Sequence, residues 1–315
     1  MIGTDEFAAR TTPYRRELLA HCYRMLGSVD DAEDLVQETM LRAWRGYADF
    51  EERASMRTWL YRIATNACLN ALEHSSRRVL PSGLAGPSVH PEHLAADTDT
   101  VPWLQPMPDA LVEPAATDPA AIVIARHDMR LALIALWQHL PPRQRAVLLF
   151  RDVLRWKAGE VAEVLGITAA AVNSTLQRAH ATLATVRAGD EPVTEPDDPE
   201  VRAVLEGWAA AIEASDTTAL TNLLRAEAMW EMPPIPDWFA GRDRIIELIT
   251  TQCPTNAGEG RMIPTRANGQ PAFGLYLNGE AHSIQVLTVV GGGIARIVAF
   301  HGAARFEPFG LPKTL

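Results

Sequence analysis

Proline is spread along this chain in a way that dictates where it can be helical. None occurs between Tyr14 and Arg78, whereas eight crowd into residues 79–120: Pro81, Pro87, Pro91, Pro102, Pro106, Pro108, Pro114 and Pro119. Proline lacks an amide hydrogen and clashes with the preceding turn, so no helix runs through such a stretch. The same stretch is acidic and holds neither Lys nor Arg. It reads as an extended, flexible linker in which Trp103-Leu104 is an apolar patch that packs on something. Helical patterning resumes over residues 121–188, broken at Pro141-Pro142, and a second acidic, proline-containing linker covers 189–199. A chain of 315 residues divided in this way holds more than one domain.

In the first block, residues 1–78, three helices are expected. Leu18, Leu19, Cys22, Met25 and Leu26 fall at three- and four-residue spacings, and Gly27 ends the run. Ser28 or Asp30 starts the next helix, with Ala32, Leu35, Val36, Met40 and Ala43 as its inward face. A third runs from about Ser55 through Trp59, Leu60, Ile63, Ala64, Ala67 and Leu72. Beyond residue 200 the pattern changes. Helices at about 200–213 and 217–224 precede a strand at Ala228 to Met232 and a helix at Arg242 to Cys253. Strand-like runs follow at 261–267, 272–277, 283–290 and 294–301, the last three separated by Asn278-Gly279 and Gly291-Gly292-Gly293 as hairpin turns. Helices followed by an antiparallel meander make an α+β domain.

The second helical block carries a sharper signal. Val161, Val164 and Leu165 line one helical face, Gly166 permits a sharp turn because it lacks a Cβ, and Thr168 caps a second helix. This spacing reads as a helix-turn-helix, whose second helix enters the major groove of DNA; the bland alternative is an ordinary helical hairpin. The net charge of −10 looks hostile to nucleic acid until it is divided: residues 1–78 carry −1, 79–125 carry −6, 126–188 carry +5 and 189–315 carry −8. Only the segment with the helix-turn-helix is basic, as phosphate contact requires. No apolar run is long enough to span a membrane, and the N-terminus has neither a basic start nor an apolar run, which points to a cytoplasmic protein. Cys22, Cys68 and Cys253 are scattered and read as reduced thiols. There is no metal-ligand spacing and no phosphate loop, so no cofactor is implied.

Three motifs, in order, carry a resemblance. They are Gly27-Ser28-Val29-Asp30-Asp31-Ala32-Glu33-Asp34-Leu35-Val36-Gln37-Glu38 running to Leu41-Arg42-Ala43-Trp44, then Trp59-Leu60-Tyr61-Arg62-Ile63-Ala64-Thr65-Asn66-Ala67, then Leu140-Pro141-Pro142-Arg143-Gln144-Arg145 before the helix-turn-helix. Together they resemble regions two and four of the bacterial extracytoplasmic-function sigma factors, over about residues 10–187. The resemblance implies that Asp30, Asp31, Glu33, Asp34, Gln37 and Glu38 form a face that docks on core RNA polymerase. It further implies that Trp59, Arg62, Asn66, Asn70, His74, Arg77 and Arg78 capture the melted minus-ten strand. Arg62, Asn66 and Asn70 recur every four residues and share a helix face suited to unpaired bases. Trp59 reads equally well as core. In region four, Arg143, Arg145, Arg155, Lys157, Asn173, Thr175, Gln177 and Arg178 are the implied contacts to the duplex minus-thirty-five element. Many relatives carry basic residues where Asn173 and Thr175 stand, which weakens the nonspecific grip expected here. The acidic linker is implied to thread the polymerase's positively lined channels.

The remainder, about 200–310, resembles the SnoaL-like fold, a cone of helices against a curved sheet. The implied architecture is multidomain: two all-α sigma domains, the second with the helix-turn-helix, joined by a Pro-rich acidic linker, plus an α+β SnoaL-like domain. That last domain is expected to tune activity by an intramolecular contact with the sigma domains, through Gly291-Gly292-Gly293, and to enclose a pocket for an unidentified small molecule. Glu231, Asp237, His282 and His301 are the polar groups placed at that pocket. No acid–base pair stands out, so the chain is read as a promoter-specificity subunit and not an enzyme. The rival readings are a ligand sensor or isomerase-like enzyme in the C-terminal domain, and a conventional DNA-binding transcription factor.

Overall fold

The first helix break falls where the sequence puts its stop and start chemistry. In a computed structural model, which describes residues 4–50, 54–73, 75–96, 100–113, 126–186, 198–253 and 256–315, helix α1 (Thr4–Thr11) precedes α2 (Arg15–Leu26), α3 (Val29–Gly46) and α4 (Met56–Glu73). Gly27 closes α2 in the left-handed region, and the Ser28 hydroxyl caps α3 by accepting from the Asp31 amide at 3.1 Å. Ala32, Val36 and Ala43 are buried as expected; Leu35 and Met40 are half-buried, and Thr39 takes a core position.

The chain divides into two units, Met1–Arg78 with Leu111–Ala188, and Val79–Ala110 with Gly189–Leu315. In the first, α5 (Leu131–Trp137) leads to α6 (Pro142–Leu148), which widens into a π-type turn, Leu149–Val153. Then come α7 (Ala158–Leu165) and α8 (Ala169–Thr185). Two features bind this second half of the unit to the first. The Arg145 guanidinium is buried and donates to the carbonyl oxygens of Met25, Gln138 and Leu140 and to Gln138 Oε1. Desolvation pushes its pKa down to about 10. Beside it the rings of His21, Tyr61, Phe150 and Trp156 form a continuous cluster with centroid separations of 5.0 to 5.8 Å.

The second unit is built on a six-stranded sheet of β1 (Leu224–Glu231), β2 (Trp238–Ala240), β3 (Gly260–Ala267), β4 (Gln270–Leu277), β5 (Glu280–Val290) and β6 (Gly293–His301), in the order β2-β1-β6-β5-β4-β3. The expected meander is present, its turns at Asn278-Gly279 (φ 52° and 82°) and Gly291-Gly292 (φ 55° and 74°) needing the left-handed backbone that Asn and Gly tolerate. Two things were not expected: the three-residue β2, and β1 running parallel to β6. Helices α9 (Pro199–Glu213), α10 (Thr217–Leu223) and α11 (Arg242–Gln252) cover the sheet. Trp208, Leu220, Phe239, Ile245, Leu287 and Ile297 fill the space between, each aliphatic side chain contributing about 1.5–3 kcal/mol by burial.

The flexible linker expected over 79–120 is corrected for 79–96 and 100–110, which pack on this sheet as a strap. Val79 and Trp103 pair as a parallel bridge, with Val79 N donating to Pro102 O at 3.0 Å and Leu104 N to Val79 O at 2.9 Å. Val79, Leu80, Trp103, Leu104 and Met107 are buried. Fully buried Glu231 accepts from Ser82 N at 2.9 Å and pairs with Arg296, whose Nε lies 2.7 Å from Oε2. Trp238 Nε1 donates to Ala85 O at 2.8 Å, Ala95 N to Asp237 Oδ2 at 2.6 Å, Met107 N to Asn268 Oδ1 at 2.8 Å and Gly269 N to Asp109 Oδ1 at 2.8 Å. Proline forbids regular structure here without forbidding attachment, because side chains of the sheet supply partners for the strap's amides. Residues 114–120 of the expected linker, and 189–197 of the second one, lie outside the described residues. No helix among the described residues is long and apolar enough to cross a membrane.

His21 gives the helical unit a pH signature. Its Nε2 lies 2.9 Å from Thr65 Oγ1, and burial, with smaller effects from Arg24 and Arg57, pushes its pKa down to about 3. Between about pH 6.5 and 3 the unfolded chain binds a proton that the native imidazole refuses. Stability is therefore full above 6.5 and falls with pH by up to about 1.4 kcal/mol per unit. Denaturant unfolding of His21→Gln across this range should show a shallower acid limb than wild type; identical slopes would contradict the assignment.

Candidate nucleic-acid interface

On α3 the inward residues leave an outward acidic strip. Asp30, Asp34 and Gln37 are exposed, while Asp31, Glu33 and Glu38 are half-buried. Asp31 pairs with Arg78 at 2.5 Å, and Glu38 with Arg42 one turn on at 2.6 Å. The strip ends in apolar surface that sequence reasoning missed. Leu41 is 57% exposed and Trp44 is 40% exposed, the latter edge-on to Phe7. Their phase was readable, since both lie off the face marked by Ala32, Val36 and Ala43.

Along α4, Arg62, Asn66 and Asn70 are all exposed on one face, as their spacing requires. Trp59 is corrected to core: it is buried and stacks on Phe50 with centroids 4.6 Å apart and planes at 25°. Arg77 and Arg78 do not extend the face as independent cations. Arg77 Nη1 meets His139 Nδ1 at 2.8 Å, and Arg78 is held by Asp31. His74 lies outside the described residues.

The helix-turn-helix is formed by α7 and α8. Gly166 ends α7 with φ 63°, and Thr168 Oγ1 accepts from the Ala171 amide at 3.1 Å to start α8. Val161 and Val164 face inward. The outward face of α8 presents Asn173, Ser174, Gln177 and Arg178, of which Ser174 was not anticipated. Thr175 is corrected: it is buried, and its hydroxyl accepts from Arg178 Nη2 at 2.9 Å, so it positions a neighbour instead of reaching out. Arg143, Arg155 and Lys157 are exposed. Arg145 is corrected from a phosphate contact to an internal strut, only 3% exposed among four acceptors.

In the C-terminal unit the four polar candidates separate. His282 and His301 line a cavity of about 270 Å³ with their rings 4.8 Å apart. Glu231 and Asp237 do not line it; both hold the strap. The Gly291-Gly292 turn is exposed, while Gly293 lies so close to Arg225 that an added Cβ would come within 3.0 Å of its Cγ.

Residues 11–78 match the family model of Sigma-70 region 2, and residues 130–183 that of Sigma-70 region 4. Over 98% of its length the chain is 50% identical to the ECF RNA polymerase sigma factor SigG of Mycobacterium tuberculosis, of which it covers 85%. It is 29% identical to SigJ of the same species over 75% of this chain and 69% of that one. The crystal structure of Mycobacterium tuberculosis extracytoplasmic function sigma factor SigJ aligns over 98% of this chain and 100% of its own, with a TM-score of 0.62 at 24% identity, and so shares the fold.

Two arginines two residues apart should behave oppositely. Arg145→Met should lower the unfolding free energy of the helical unit by about 2–3 kcal/mol, because buried carbonyls lose their donor. Arg143→Ala should change it by less than about 0.5 kcal/mol. In duplex-DNA titrations Arg143→Ala should reduce the slope of log affinity against log salt by about one, and Arg145→Met should leave that slope alone. Denaturant melts and salt series on the two variants decide the matter; equal effects on both would contradict the geometry.

Proposed function

The chain belongs to the ECF RNA polymerase sigma factors, and from that premise we propose how its surfaces divide the work of starting transcription. The acidic strip of α3, from Asp30 to Glu38 and closed by Leu41, docks on core RNA polymerase, with charge steering the encounter and the apolar end supplying buried area. The Arg62, Asn66 and Asn70 face of α4 takes the melted minus-ten strand, its amides and guanidinium pairing with bases freed from the duplex. The helix α8 lies in the major groove of the minus-thirty-five element, where Asn173, Gln177 and Arg178 reach base edges. Arg143, Arg155 and Lys157 contact phosphates. The chain works in the cytoplasm and needs no chemistry of its own, because the polymerase transfers the nucleotides.

The observation that carries this division is the separation of exposed from buried polar groups in one helical unit. The strip and the two reading faces are turned outward, while Arg145 and Trp59 are turned in. Promoter elements centred near minus ten and minus thirty-five lie about 85 Å apart along B-DNA, at 3.4 Å per base pair. A folded unit of about 150 residues spans only about 40 Å. The two reading faces therefore part when polymerase takes the protein, which breaks the Arg145 and Tyr61–Trp156 contacts.

The C-terminal unit tunes this activity through the strap. Residues 79–110 connect the two halves of the helical unit, and while held on the sheet they are withheld from the polymerase channels. Release of the strap is the activating step.

Two experiments test these readings. Asp34→Lys with Glu38→Lys should weaken binding to core polymerase by about tenfold or more and abolish run-off transcription. Duplex-DNA binding should be spared; full transcription by this variant would overturn the docking assignment. Asp237→Ala with Trp238→Phe removes two strap hydrogen bonds. At about 1 kcal/mol each, their loss should shift the bound-to-released ratio by roughly thirtyfold and raise run-off output. Unchanged output would remove the strap from the mechanism.

A further inference from the structure

The hydroxyls of α8 divide into two kinds. Those of Ser174, Thr182 and Thr185 donate back to carbonyl oxygens of their own helix, at Ala171, Arg178 and Thr182, over 3.1, 3.0 and 2.7 Å. That is the local bonding such side chains make in helices generally. Thr175 Oγ1 instead accepts from Arg178 Nη2, one turn on, at 2.9 Å. Thr175 also stands where an oxygen is costly. It shares the buried stripe of α8 with Val172 and Ala179 and is only 8% exposed. A valine has the same shape and would leave no polar atom there to satisfy.

Arg178 is exposed, and its long side chain samples many rotamers unless something holds it. The rest of its setting is already fixed. Gly166 and Thr168 set the start of α8, Val172 and Ala179 seat it, and His180 Nε2 meets Asp152 Oδ2 of the π-type turn at 2.7 Å. The rotamer of Arg178 is the remaining freedom, and the Thr175 hydroxyl restrains it. Of the guanidinium's five N–H groups the hydroxyl occupies one, which leaves two parallel donors for a partner. In the major groove the base edge with two adjacent acceptors is that of guanine, through O6 and N7.

We propose that Thr175 is a positioning residue for promoter choice: its buried hydroxyl pins the Arg178 fork in the orientation that reads a guanine in the minus-thirty-five duplex. This role rests on α8 lying in the major groove. It assigns Thr175 to specificity and not to grip, because the charge that meets DNA stays on Arg178 whether or not the fork is pinned.

Selection of bound duplexes from a pool randomised across the minus-thirty-five element, by core polymerase loaded with each variant, tests this. Arg178→Ala should erase a guanine preference at one base pair, a loss of about ten- to a hundredfold. Thr175→Val should cut the preference at that same base pair by about fivefold and leave every other position within about twofold. Its slope of log affinity against log salt should match wild type, since no charge is lost. Thr175→Ser, which keeps the hydroxyl, should hold the guanine preference within about twofold of wild type. Thr175→Ala is the second hydroxyl-free variant should Thr175→Val fail to fold. A uniform loss of affinity across all sequences from the hydroxyl-free variants would mark a merely structural role and overturn the proposal, as would full retention of the guanine preference. Unaltered base preferences with Arg178→Ala would overturn the placement of α8 itself, and the proposal with it.

Discussion

The buried guanidinium of Arg145 is the contact on which the helical unit's arrangement turns. A cation taken out of water is costly unless its donors are met, and here the carbonyls of Met25, Gln138 and Leu140 and the Gln138 amide oxygen meet the four terminal N–H groups, leaving only Nε without an acceptor among the described residues. Met25 belongs to α2 and the other acceptors to the α5–α6 turn, so one side chain ties the α1–α4 half of the unit to the α5–α8 half. The ring cluster around Tyr61 and Trp156 works alongside it, with Arg57 lying over both rings at 5.1 and 5.2 Å.

Charge is used differently in the two units. In the helical unit carboxylates stay near water on α3, where an approaching partner can meet them. In the C-terminal unit the key carboxylates are turned to internal work: Glu231 is fully buried against Arg296 and Ser82, and Asp109 is buried and takes the Gly269 amide. These groups hold a segment that has no regular structure of its own. The strap's order is therefore borrowed from the sheet, which makes its attachment a property that a change in the C-terminal unit can alter.

Features set by local chemistry were legible in the sequence. Gly27, Ser28, Gly166 and Thr168 each end or start a helix by their own backbone or hydroxyl preference, and the Asn278-Gly279 and Gly291-Gly292 turns fix two hairpins. Features set by distant partners were not. Arg143 and Arg145 look alike in the sequence, yet a separation of two residues turns them about 200° apart on a helix, so one faces solvent and the other the core. Which one is inside depends on Met25, 120 residues away. Trp59 suits base stacking and core equally by its position, and Phe50 against it decides for core; Thr175 lies among reader positions by spacing, and tertiary packing buries it. The strap's attachment is invisible in the sequence because proline density reports the absence of a helix and says nothing about attachment. The parallel β1–β6 pairing joins strands more than 60 residues apart, beyond any turn signal.

The proposed division of work requires a helical unit that is closed when free and open on polymerase. Spin labels at Ala71→Cys and Ala181→Cys, exposed positions on α4 and α8, in a chain with Cys253→Ser, report the distance between the two reading helices by pulsed electron resonance. Free protein should give a distance within about 40 Å, the span of one folded unit. In a transcription-competent complex with core polymerase and promoter DNA the same pair should widen to about 80 Å, the separation of the promoter elements. An unchanged short distance in that complex would contradict the account.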